Sequence, residues 1–186
     1  MLEDVSPDNR LDGLGQVSVL GRLAATVGDL LRQHGETLAL AESCTGGLVA
    51  AVMTSVAGSS DYLWGGATVY SAAAKRTMLD LEDSLLAQHG TVSRETTGAL
   101  AAAVRALADA TYGLGVTGWA GPEGGTEADP VGTVYVAIDS ARGSETRRFC
   151  FEGDRTEVRE QAVRAALGWL RDELLEADRP AEETDQ

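Results

Sequence analysis

Histidine and cysteine are scarce in this 186-residue chain, with two of each. His34 and His89 both sit in a Gln-His-Gly triplet that reads as a helix end, where an imidazolium complements the helix dipole. A hydrolase of the Ser-His-Asp type needs a placed histidine, so that chemistry is disfavoured. Cys44 and Cys150 make no disulfide framework, and so few thiols and imidazoles form no zinc-type ligand cluster; neither a metal ion nor another cofactor is expected. Positive charge is short as well: 15 Lys and Arg against 29 Asp and Glu leave a net charge of −14. A surface that tracks nucleic acid or anionic lipid needs the opposite balance, so no nucleic-acid or membrane partner is expected. No apolar run is long enough to span a bilayer, and the start Met1-Leu2-Glu3-Asp4 is acidic, not a cationic leader; a cytoplasmic protein is expected. Any anionic ligand must be gripped locally by a few donors.

What is present is the punctuation of an α/β domain. Residues 1–17 are polar and without periodicity, 178–186 form an acidic tail, and 18–177 read as one domain. Apolar residues recur at helical spacing from Val17 to Gln33, and Gly35 marks the end. Strands are predicted over 37–42, 67–70 and 114–117, with helices over 46–55, 72–79 and 93–110 between them; Ser93 is placed to cap the last of these. Residues 121–130 carry no periodic pattern and read as a loop. Strands over 133–138 and 146–151 follow, separated by a hairpin at 140–144, and then a long helix over 154–176 with Val158, Val163, Leu167, Leu170 and Leu174 on its apolar side. This order predicts a three-layer α/β/α domain whose sheet is mixed but mostly parallel.

Topology then says where chemistry should sit. Strands joined through helices run parallel, so the first three end on one edge of the sheet, where open α/β folds bind ligands. The loop after the third strand has no helix to carry the chain across, so the fourth strand should run antiparallel and the fifth return to the same edge. Four segments converge there: Glu42-Ser43-Cys44-Thr45-Gly46-Gly47, Tyr70-Ser71 with Lys75 beyond it, Thr117-Gly118-Trp119-Ala120-Gly121-Pro122 leading to Gly124-Gly125-Thr126, and Gly153-Asp154-Arg155. Taken singly, each has an ordinary reading: a helix cap, a half-buried tyrosine, a solvated lysine, a flexible loop. Together they offer a nucleophile, Ser43, and a base that is not histidine, Lys75, provided burial lowers its pKa. Amides at 45–47 open a helix and could hold an oxyanion.

The same segments resemble the CinA C-terminal domain family: Ala41-Glu42-Ser43-Cys44-Thr45-Gly46-Gly47, Tyr70-Ser71 with Lys75, Val116-Thr117-Gly118-Trp119-Ala120-Gly121-Pro122 with Gly124-Gly125, Pro130-Val131-Gly132-Thr133-Val134 and Phe151-Glu152-Gly153-Asp154-Arg155, in order across residues 20–175. The resemblance implies a stand-alone nicotinamide-nucleotide amidohydrolase that opens the carboxamide of nicotinamide mononucleotide without a metal. By the family pattern Ser43 is the nucleophile and Tyr70 and Lys75 move protons. Glu42, Cys44, Thr45, Gly46, Gly47, Thr117, Gly118, Gly121, Gly124, Gly125, Thr126 and Arg155 are the expected substrate-binding set, with Arg155 and the Gly124-Gly125-Thr126 loop on the phosphate. A homodimer or other homo-oligomer is expected. One departure stands beside the base: many relatives carry Asn-Glu where this chain has Ala72-Ala73. Two alternatives stay open, a non-catalytic nucleotide-binding or protein-interaction module and a thiol amidase using Cys44.

Overall fold

The computed structural model describes residues 14–177; the expectations for residues 1–13 and 178–186 lie outside the described residues. The elements run α1 (Leu14–His34), β1 (Leu38–Glu42), α2 (Leu48–Thr54), a 3-10 turn (Ser59–Asp61), β2 (Leu63–Thr68), α3 (Ala72–Leu79), α4 (Asp83–His89), α5 (Arg94–Ala108), β3 (Tyr112–Gly118), β4 (Thr133–Ser140), β5 (Gly143–Cys150) and α6 (Arg155–Ala177). They form one five-stranded sheet in the order β2-β1-β3-β4-β5. β1 pairs in parallel with β2 and β3, while β4 is antiparallel to both β3 and β5.

The strands sort their side chains by alternation. Leu38 and Leu40 of β1 join Leu114, Val116, Val134 and Val136 in a core with α1, α2 and α6, whereas Ala39 and Ala41 point to the opposite layer with Leu79, Leu86, Leu100 and Val104. That second layer lies unusually close to the sheet. A β-carbon on Gly113 would stand 2.0 Å from the Ala101 carbonyl oxygen, and one on Gly115 2.6 Å from that of Thr97, so α5 rests directly on β3 through two bare glycines. The seat is completed by a 2.7 Å hydrogen bond between the buried hydroxyls of Thr97 and Thr117.

Three differences from the sequence reading have local causes. The helix α1 begins at Leu14, three residues before the predicted start. β2 occupies 63–68, not 67–70, because Trp64-Gly65-Gly66, outside the predicted strand, belongs to this edge strand. Gly66 fits there because a β-carbon would press to 3.2 Å on Leu40 Cβ; Val69 still bonds the Glu42 carbonyl through its amide at 2.8 Å. The short helix α4 carries too few apolar residues to show a period. The predicted cap formed, Ser93 accepting from the Thr96 amide, and Ser71 likewise accepts from that of Ala74 at the start of α3. Asp154 and Glu157 close the start of α6 reciprocally, each accepting from the other's end of the first turn. The ends of β1, β2, β3 and β5 and the starts of β4 and α6 thus share one edge.

Candidate active site

The turn after β1 is held from three directions. Its first residue stays on the sheet, with the Ser43 amide donating to the Val116 carbonyl at 2.9 Å. Gly46 (φ 60°) and Gly47 (φ 92°) then turn the chain through left-handed backbone that a side chain would strain. Gly47 occupies the N-cap of α2 and has no side chain to cap with. Glu42 supplies what is missing: its buried carboxylate accepts from the amides of Gly47 (3.0 Å), Val49 (3.1 Å) and Ala50 (2.8 Å). From α6, Arg159 donates through Nε (3.2 Å) and Nη2 (2.7 Å) to the Thr45 carbonyl.

Against this turn stands Lys75, 1% exposed, from the second turn of α3. Its Nζ lies 3.0 Å from Ser43 Oγ and 2.7 Å from the Val69 carbonyl. Ala72 and Ala74 pack against the layer of Ala39 and Ala41 beside it, and burial lowers the Lys75 pKa from 10.5 to about 8. A Cys44 thiolate would oppose that shift, but burial pushes the Cys44 thiol up to about 12, despite the pull of its own amide and that of Thr45. The thiol is therefore neutral at physiological pH, and about a tenth of Lys75 is free amine at pH 7. A neutral amine that donates to Val69 can accept the Ser43 proton with its lone pair.

Ser43, 7% exposed, opens onto a cleft of about 210 Å³ lined also by Cys44, Tyr70, Gly118, Gly121 and Arg155. Tyr70 stands at its lip, 59% exposed. Arg155 ties the lip together, donating to Tyr70 Oη at 2.8 Å and to the Gly121 carbonyl at 2.7 Å. The structure thus brings Ser43, Lys75, Tyr70 and Arg155 together. Of the rest of the expected set, Cys44, Gly118 and Gly121 line the cleft and the others do not. Glu42 and Gly47 are spent on the start of α2, Gly46 donates to the Ser43 carbonyl, and Thr117 bonds Thr97. Thr45 is wholly buried, its hydroxyl without a protein partner. The Thr126 hydroxyl accepts from the Asp129 amide inside its own loop. Gly124 makes room for Trp119, whose Cε3 would meet a β-carbon there at 2.7 Å, and Gly125 packs as closely on 129–131.

Five lining residues were not in the expected set: Thr91, Val92, Trp119, Ala120 and Glu123. Trp119 and Glu123 belong to a loop already singled out; Thr91 and Val92, between α4 and α5, carry no motif. Arg159 gave one signal, a second arginine four residues after Arg155 and so on the same helix face. Among the described residues no three His, Cys, Asp or Glu side chains are grouped to hold a metal ion, and no helix is long and apolar enough to cross a membrane.

Comparison with known proteins shows which proteins the chain resembles. The model of the CinA C-terminal domain matches residues 21–174. A CinA-like protein of Myxococcus xanthus is 52% identical over 156 residues, which are 83% of this chain and 37% of that protein; the chain spans about a third of the length of the CinA-like proteins it matches. Nicotinamide-nucleotide amidohydrolase PncC of Escherichia coli is 45% identical over 160 residues, covering 86% of this chain and 97% of that one. The crystal structure of the competence damage-inducible protein A of Klebsiella pneumoniae superposes with a TM-score of 0.81 at 38% identity, over 84% of this chain and 97% of that one.

Proposed function

The chain belongs to the CinA C-terminal domain family, and on that premise we propose that it hydrolyses the carboxamide of nicotinamide mononucleotide to nicotinic acid mononucleotide and ammonia. Ser43 is the nucleophile, Lys75 its base, and Tyr70 assists proton transfer at the lip of the cleft. The likeness to the Escherichia coli amidohydrolase supports the reaction class. The observation that carries the reading is the 3.0 Å contact between a buried lysine amine and a serine hydroxyl at the floor of a cleft. Burying a lysine is unfavourable, and a module that only binds gains nothing from aiming it at a serine.

The chemistry balances with side chains and water. Neutral Lys75 takes the Ser43 proton as Oγ bonds the carboxamide carbon, and the carbonyl oxygen becomes an oxyanion against backbone amides of the turn. Collapse breaks the C–N bond while the Lys75 ammonium returns its proton to the leaving nitrogen, giving ammonia and an ester on Ser43. Water, deprotonated by Lys75, then attacks the ester and frees the carboxylate and Ser43. Arg155 has five N–H donors and two named protein bonds, so it retains donors for a phosphate at the lip. Cys44, neutral and 5% exposed, is a poor nucleophile, which argues against the thiol reading.

Ammonia release from nicotinamide mononucleotide by the purified protein, with a chelator present, is the test. Wild type should turn over and Ser43→Ala should not; a wild type that releases no ammonia, or a Ser43→Ala variant that does so at the wild-type rate, would end this reading.

A further inference from the structure

We propose that Arg159 is a positioning residue for the reaction at Ser43: it fixes the peptide between Thr45 and Gly46, and through it the two amides that receive the negative charge of the tetrahedral intermediate. The inference rests on the amidohydrolase reading of the site and adds a residue that does not touch substrate.

The amides available to an oxyanion are few. Gly46 donates to the Ser43 carbonyl at 3.1 Å, Gly47 to Glu42, and Leu48 to the Thr45 carbonyl at 3.2 Å. The amides of Cys44 and Thr45 remain nearest to the nucleophile along the chain. Both draw the Cys44 thiol pKa down, and Cys44 lines the cleft beside Ser43. Their direction depends on the next peptide. That peptide precedes Gly46 and Gly47, both at positive φ, and glycine accepts either sign of φ at little cost. A Thr45–Gly46 peptide with a weak hold could therefore rotate, and the Thr45 α-carbon that also bears the preceding amide would shift with it.

Arg159 supplies the hold. Its guanidinium gives two donors to the one carbonyl oxygen, where the turn's own bond from Leu48 is longer than the shorter of the two. The planar fork restricts the carbonyl in direction as well as distance. Arg155, one helical turn earlier, reaches the cleft and Tyr70, whereas Arg159 reaches only the back of the turn. The start of α6 thus couples the nucleophile turn to the cleft lip with two arginines of different duty. Loss of Arg159 should then be felt in kcat, since the oxyanion exists only beyond the ground state, and barely in KM.

The experiment compares wild type with Arg159→Ala and Arg159→Lys in three readouts: steady-state ammonia release, rescue by guanidinium ion at tens of millimolar, and the rate at which a fluorophosphonate phosphonylates Ser43, followed by intact mass. In the last, the Ser43 oxygen bonds phosphorus and fluoride leaves, so the readout does not depend on the nucleotide. Arg159→Ala should lose about 10²-fold or more in kcat, the scale of one oxyanion donor, with KM within about threefold. Phosphonylation should slow in parallel, guanidinium should restore part of both saturably, and Arg159→Lys, keeping one donor, should fall between. The apparent pKa of the remaining activity should stay that of Lys75. Unchanged kcat in Arg159→Ala overturns the proposal, as does a loss that guanidinium leaves unmoved and that tracks a lowered Tm. If Arg159→Ala does not fold, Arg159→Lys decides: a kcat equal to wild type overturns the proposal, and a loss in kcat alone supports it. A wild type that is phosphonylated at Ser43 yet releases no ammonia would sink the amidohydrolase reading while leaving Arg159 to be judged by phosphonylation.

Discussion

Replacing Lys75 with methionine separates the energy of burying an ammonium from everything else the side chain does. Burial lowers the Lys75 pKa from 10.5 to about 8, which corresponds to about 3 kcal/mol against the charged form in the folded protein. Between those two pH values the unfolded chain holds a proton that the folded chain has released. Stability contributed by this group is therefore complete above the unfolded pKa and lost as pH falls through the folded one. Methionine has similar volume and no such dependence. The stability of wild type minus that of Lys75→Met should rise by about 2 kcal/mol from about pH 7 to about pH 9.5, the rest lying at higher pH. The variant also removes bonds to Val69 and Ser43, but their loss offsets the difference by a constant and leaves its slope alone. Urea unfolding of both proteins at the two pH values, followed by tryptophan fluorescence, measures that slope. The same variant should be inactive, and wild-type kcat/KM should rise with pH to an apparent pKa near 8, so the lysine that weakens the fold at neutral pH is the one that turns it over. A stability difference that is flat with pH, or that shrinks as pH rises, would refute the reasoning.

Four further outcomes follow from the site. Ser43→Ala should lower kcat by about 10³-fold or more, whereas Cys44→Ala should alter stability more than turnover, and thiol alkylation at neutral pH should leave activity intact because the thiol is buried and protonated. Glu42→Gln puts an NH2 or a weaker acceptor before three amides and should lower the urea-derived stability by about 2 kcal/mol. Thr45→Val removes a buried hydroxyl that has no protein partner, so stability should hold or rise by up to about 1 kcal/mol; a drop of that size or more would mean that the hydroxyl is bonded in the folded protein. Arg155→Ala should raise KM for the mononucleotide more than for its dephosphorylated nucleoside, and equal losses on the two would make the arginine a tie between Tyr70 and Gly121 only.

The parts of this site that could be read from the chain were those in which one short segment declares its own place. Ser43 follows an apolar strand and precedes two glycines, and Lys75 follows an alanine turn, so each was located before the fold was known. Their meeting required only that β1 and β2 be parallel neighbours with α3 returning over the strand ends, which the strand-helix order implies. Glu42 was placed at the right edge, but its task could not be read, because capping signals are sought at the cap position and here the cap is a glycine served by a side chain five residues earlier. Arg159 acts on a carbonyl 114 residues away, a contact no local pattern encodes. The edge strand β2 was misplaced for a related reason: two glycines weaken a strand in isolation, and only the neighbouring Leu40 shows why they are needed.

On the proposed function, the carboxylate of Glu42 also bears on which way round the substrate must lie. Many α/β proteins leave the amides after their first strand vacant and receive a ligand's phosphate there. In this protein the seat is already taken by an acid belonging to the chain itself, held by three amides and sealed from solvent. An incoming dianion would find donors occupied and a like charge behind them. For the proposed substrate, the phosphate end would thereby be turned toward Arg155 at the mouth, leaving the uncharged carboxamide as the end that can descend to Ser43. An internal anion would thus work as a polarity key for the proposed substrate, favouring one orientation before any contact specific to its ring is made.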